Sequence, residues 1–166
     1  HSDLVPIYEI CEACNIPITV HCGGETISTF EDRVESNVFG KPFIVEERDR
    51  TSNAKKFNEP ENWFPVLEKF PKLKVNLAHF GGEEVWEKSS KHTHKRIKDI
   101  LHLINNYEGV YTDFSFNLND KKATKVFKKF LTSNDSNLNK IKERTMFGTD
   151  YWVVLAQSDL KKDQEY

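Results

Sequence analysis

Apolar positions along the chain alternate between helical spacing and short β-branched runs. Leu4, Ile7, Cys11 and Cys14 recur at helical intervals, with Asp3 as N-cap and Pro6 in the first turn, so residues 3–14 are expected to form a helix ended by Asn15. Ile16 to Val20 is a strand by composition and runs into His21-Cys22-Gly23-Gly24. Residues 25–59 are polar, charged and aperiodic, and are expected to be a long loop that shapes a pocket. Pro60 opens a helix with Trp63, Phe64, Val66, Leu67 and Phe70 on its apolar side, and Pro71 stops it. Leu73 to Ala78 is the next strand and leads into His79-Phe80-Gly81-Gly82. A helix over 93–105 carries Ile97, Ile100, Leu101 and Ile104, and Asn106 and Gly109 bracket its exit into a strand that begins Val110 to Asp113. A helix over 120–132 is expected to bury Ala123, Val126, Phe127, Phe130 and Leu131. Residues 134–137 read as loop, residues 144–148 as the last strand, and Thr149-Asp150 follows it. The final stretch, 151–166, is a weak helix.

This alternation implies parallel strands joined by helical crossovers, an α/β fold. In open sheets and closed barrels alike, ligands gather at the C-terminal ends of such strands. Three of the four strands end in a residue able to bind metal or move a proton: His21, His79 and Asp150. Asp113 ends the remaining one. A single histidine after a strand is usually a satisfied structural residue. Recurrence at equivalent strand ends is what convergent ligands on one face require. The glycines after His21 and His79 allow backbone to pack closely there.

Composition narrows the setting. The chain has 166 residues, 37% hydrophobic and 30% charged, enough for one domain with a core to which twelve Phe and three Trp contribute. A net charge of -2 gives no electrostatic case for nucleic acid or an anionic membrane, and no apolar run reaches the length of a membrane span. The lysines from Lys121 to Lys129 read as a solvated helix face. Three cysteines and no secretory signal favour a reducing, cytoplasmic setting. Cys11 and Cys14 make a C-x-x-C pair, read as core thiols on one apolar helix face rather than as redox or metal chemistry.

Several blocks resemble a known family. Pro6 to Ile10 with Asn15 to His21 is similar to the helix and fifth strand of amidohydrolase-type barrels related to aminocarboxymuconate-semialdehyde decarboxylase. Trp63 to Gly82 resembles the sixth strand with its preceding helix, Val110 to Ser115 the seventh strand, and Arg144 to Asp150 the eighth. The resemblance implies the C-terminal half of a metal-dependent (β/α)8 TIM-type barrel, one partial domain over 1–166. It implies His21 and Asp150 as ligands of a divalent metal, most simply Zn2+. It implies His79 and Asp150 as catalytic residues, His79 polarising the substrate or shuttling a proton and Asp150 acting as general base on water. The expected activity on a small-molecule substrate is hydrolysis of a C–N or C–O bond, or non-oxidative decarboxylation.

The family's strand-one H-x-H pair has no counterpart. His92-Thr93-His94 has the spacing, but no strand precedes it and it opens a helix. A full barrel takes about 250 residues. The chain opens at His1 and its only methionine is Met146, so a fragment or processed product, inactive by itself, is expected. The alternative is a non-catalytic half-barrel, an interaction or structural module whose open edges could be covered in a homodimer. Among lesser candidates, Arg48 or Arg50 could clamp a carboxylate, although a solvated charge cluster explains them as well. Trp152 suits a pocket wall or plain core, and His102 an exposed helix side.

Overall fold

The computed structural model describes residues 2–23, 33–38, 41–46, 52, 56–82, 91–115, 121–134 and 136–150. His1, Arg48, Arg50, Trp152 and the expected helix over 151–166 lie outside them. A 3-10 turn, Ser2–Leu4, leads into α1, Val5–Ala13, and then β1, Ile18–His21. The segment expected to be all loop contains a hairpin, β2 (Arg33–Val38) paired antiparallel with β3 (Lys41–Glu46). Its signal was present but short: Phe43-Ile44-Val45 favours a strand. A 3-10 turn over Pro60–Trp63 precedes α2 (Phe64–Lys69), followed by β4 (Val75–Ala78), α3 (Lys91–Asn106) and β5 (Val110–Phe114). Then come α4 (Lys121–Leu131), α5 (Asn139–Glu143) and β6 (Thr145–Phe147).

The main sheet has the order β1-β4-β5-β6, every pair parallel. Spatial order follows chain order with no reversal. A doubly wound sheet reverses order at a switch point, whereas a barrel does not. The buried core lies on one face, where Val75 and Leu77 of β4 and Val110 and Phe114 of β5 meet Leu67 of α2, Ile100, Leu103 and Ile104 of α3, Phe127 of α4 and Ile141 of α5. A mixed α/β chain with four parallel strands and helices on one face is consistent with part of a TIM-type barrel.

Strand side chains alternate between faces. Thr112 shares the helix-covered face with its register partner Leu77, and its hydroxyl is satisfied by donating to the Leu77 carbonyl at 2.7 Å. The residues one step away along the strands, His21, Asn76 and Asp113, belong to the opposite face, which the described helices leave uncovered.

Several local expectations meet a competing force. The helix N-cap is Leu4, without a side-chain cap, because Asp3 is taken into the preceding 3-10 turn. The face of α1 that packs inward is Val5, Tyr8 and Cys11, since Tyr8 lies edge-on to Trp63 (5.8 Å) and near Phe70 (6.0 Å). Leu4, Ile7 and Ile10 are exposed, and so is Cys14; the C-x-x-C thiols are not a buried pair. On α3 the fully buried stripe is Arg96, Ile100, Leu103 and Ile104, turned away from the expected Ile97 and Leu101. Leu131 of α4 is exposed, while Phe127 is buried. The helix end at Asn15 holds: Asn15 takes φ 56°, its N–H bonds the Glu12 carbonyl and that of Ile16 bonds the Cys11 carbonyl, a Schellman closure.

Gly109 is required by space. A Cβ there would stand 2.2 Å from the Leu73 carbonyl oxygen, in the turn where the Val75 N–H bonds the Gly109 carbonyl. Gly109→Ala is therefore expected to displace β5 against β4 and to destabilise the fold by about 2 kcal/mol or more. Urea denaturation compared with wild type checks this, and an unchanged midpoint would refute it.

Candidate functional site at the C-terminal ends of the strands

His21 is the last residue of β1 and pairs in register with Ala78, the last of β4. His79 follows immediately, so the register alone brings the two histidines side by side. Their rings meet edge to face with centroids 4.9 Å apart. The chain turns sharply here. His79, Phe80, Gly81 and Gly82 have φ of 64°, 45°, 86° and 87°. Left-handed backbone is easy for glycine but costs about 1–3 kcal/mol at a non-glycine residue. Phe80 offsets it: its ring is fully buried against Phe127 (6.1 Å) and Phe130 (5.8 Å), and such burial stabilises by about 1.5–3 kcal/mol. The turn thus drives Phe80 into the helix layer and leaves His79 on the uncovered face.

Arg96 holds the same turn from below. It is 2% exposed, donates to the Gly81 carbonyl at 3.0 Å, and forks onto Glu59 through Nη2 (2.6 Å) and Nε (3.2 Å). Breaking a buried pair of this kind costs about 3–5 kcal/mol. Sequence reading missed Arg96, although its helical spacing to Ile100, Leu103 and Ile104 marks it as an inward position on α3.

Asp113, the fourth strand-end candidate, is buried and is an organiser. Its Oδ1 accepts the backbone N–H groups of His79 and Ser115, both at 3.1 Å, and the Ser115 hydroxyl. Its Oδ2 accepts from Asn76 Nδ2 at 2.7 Å. Ser115 Oγ also lies 2.8 Å from His79 Nδ1. Asp150, two residues beyond Gly148, is half-buried with φ 50°. It is close enough for its charge to act on His21. Residues 58–59, the end of the segment expected to be loop, also reach the site: Asn58 Nδ2 lies 3.2 Å from His21 Nδ1.

Crowding by protein atoms pushes the His21 imidazole below its usual pKa, and the charges of His79 and Arg96 push the same way, while Asp150 opposes them. Cys22, buried beside it, has its thiol pushed up to about 12 by burial, so it is protonated and inert at neutral pH.

Imidazole and carboxylate suit a divalent ion. Among the described residues, however, no three His, Cys, Asp or Glu side chains group closely enough to hold one. His21 and Asp150 supply donors of the right type but not a closed set. With Asn58 donating to Nδ1, the proton of a neutral His21 sits on Nε2. Coordination through Nε2 needs the opposite amide orientation, with Asn58 accepting from Nδ1–H. His92 and His94 fall in the first turn of α3 as expected, with side chains outside the described set, and His102 is exposed beside Phe64. No described helix is long and apolar enough to cross a membrane.

The sequence matches the family model described as Amidohydrolase over residues 1–165, and the chain belongs to that family. No curated protein and no solved structure matches it.

In metal-free protein, the His21 titration midpoint followed by NMR is expected below about 6.5. Asp150→Asn should lower it further, because Asp150 supplies the opposing charge. A midpoint that rises in the variant would show that Asp150 does not act on His21.

Proposed function

We propose, taking membership of the amidohydrolase family as the premise, that the chain carries strands five to eight of an enzyme barrel related to aminocarboxymuconate-semialdehyde decarboxylase. Its site would act on a small-molecule substrate by hydrolysis of a C–N or C–O bond or by non-oxidative decarboxylation. The observation that carries this reading is the edge-to-face contact of His21 and His79 at the C-terminal end of a singly wound parallel sheet. The reading assigns a divalent ion, zinc by donor chemistry, with His21 and Asp150 among its ligands and further donors from outside the described residues. Bound there, the ion would supply Lewis-acid polarisation and acidify water. Asp150 takes the proton from the attacking water, and His79 polarises the substrate or hands a proton to the leaving group. Free Cys11, Cys14 and Cys22 fit the reducing cytoplasm as its location.

Elemental analysis and zinc titration of the purified chain test the reading. With an incomplete ligand set among the described residues, zinc is expected to bind weakly, and His21→Ala and Asp150→Ala should each abolish that binding. A folded chain that takes up no zinc, nickel, cobalt or manganese, or one whose binding both variants leave intact, would overturn the metal assignment.

A second reading is favoured by what the sheet edges expose. Ile10 of α1, before β1, is 58% exposed, and Phe147 of β6, at the other edge, is 77% exposed. Among the described residues, each edge strand is paired on one side only. A homodimer of half-barrels would cover them. Light scattering is expected to give a dimer that Phe147→Asp dissociates; a monomer at high protein concentration would exclude this arrangement.

A further inference from the structure

Ser115 joins two groups that the proposed chemistry does not otherwise connect. Its hydroxyl has one proton and lies against both Asp113 Oδ1 (2.5 Å) and His79 Nδ1 (2.8 Å). The Asp113 carboxylate is surrounded by donors: two backbone N–H groups on Oδ1 and the Asn76 amide on Oδ2. As an ionised carboxylate it can only accept. The proton between the two oxygens therefore belongs to Ser115, and Ser115 Oγ can only accept from the imidazole. The hydrogen on the His79 ring then sits on Nδ1. In the neutral imidazole Nε2 is the unprotonated nitrogen.

We propose that Ser115 and Asp113 are positioning residues for His79, a carboxylate–hydroxyl–imidazole relay that holds the ring in its Nδ1–H tautomer and presents Nε2 as the nitrogen that takes the proton or meets the substrate. The relay does what a carboxylate bonded directly to a histidine does in other sites, with a serine interposed. The arrangement goes beyond closing the end of β5. Asp113 already closes that turn by accepting the Ser115 N–H two residues on, and it already anchors the next loop through the His79 N–H. The hydroxyl is not needed for either bond. It links the carboxylate to the imidazole, donating to Asp113 Oδ1 and meeting His79 Nδ1. Period-2 alternation puts Asp113 and Ser115 on the same side of the chain, the side away from the helices, where His79 stands.

The inference rests on the proposed function only in that His79 is put to chemical use; the tautomer itself needs neither metal nor substrate. It is tested by NMR of the imidazole nitrogens in metal-free protein, well above the ordinary imidazole pKa of about 6.5. In wild type, His79 is expected as the Nδ1–H tautomer, against the Nε2–H form that dominates for histidine free in solution. Ser115→Ala should shift it towards the Nε2–H form, and Ser115→Thr, which keeps the hydroxyl, should restore Nδ1–H. A wild-type His79 in the Nε2–H form would overturn the proposal by itself, without any variant. So would a folded Ser115→Ala protein whose His79 stays Nδ1–H. Loss of metal binding or activity with the tautomer unchanged would count against the proposed function and leave the relay standing.

Discussion

A buried carboxylate at the end of β5 is the constraint around which the uncovered face is arranged. Asp113 reaches the neighbouring strand through Asn76, the turn after that strand through the His79 N–H, and its own strand end through Ser115. A charge in that position is expensive unless donors meet it, and here donors from two adjacent strands meet both of its oxygens. Because those donors include the backbone of His79, the electrostatic need of Asp113 and the position of His79 are one requirement. Removing the carboxylate would leave buried N–H groups without partners, each costing about 1–3 kcal/mol. Asn76 Oδ1 is the one buried side-chain polar atom without a partner among the described residues, on the same amide that serves Asp113.

The turn after β4 is held from both sides of the sheet. Above it, Asp113 fixes the His79 N–H. Below it, Arg96 fixes the Gly81 carbonyl, with its own charge met by Glu59. Phe80 adds burial in the aromatic layer beneath, where Phe114 and Phe127 also stack at 3.5 Å. Two non-glycine residues in the left-handed region are tolerated because these three anchors over-determine the turn. Local strain, a buried ion pair and an aromatic cluster thus converge on the placement of one imidazole. The division between the two faces is equally physical in the central strands: the helices take up Val75 and Leu77 of β4 and Val110 and Phe114 of β5, and Asn76 and Asp113 lie on the other side.

Much of this was legible in the residues. The helical and strand periods locate every parallel strand to within a few residues, and the recurrence of His21, His79 and Asp150 at strand ends points to one end of one sheet. The hairpin of β2 and β3 was not legible as such, because a charged, poorly alternating strand is stabilised mainly by its partner. The face that α1 buries was misread for a related reason. Apolar residues lie around much of that helix, and Tyr8 wins the inward position through Trp63 and Phe70, residues more than fifty positions away.

What the sequence by itself determined is the order of elements, their parallel α/β character and the residue types available at the strand ends, since those follow from local spacing and side-chain chemistry. The tertiary structure alone decided that Asp113 is an organiser rather than a candidate ligand, that Ser115 stands between it and His79, and that Arg96 supports the turn. It also decided that Asn58, far along a segment without periodicity, meets His21. Each of these depends on hydrogen bonds between residues 15 to 37 positions apart, or on the sharing of a single proton. Spacing along a chain carries no information about either until the strands are in register.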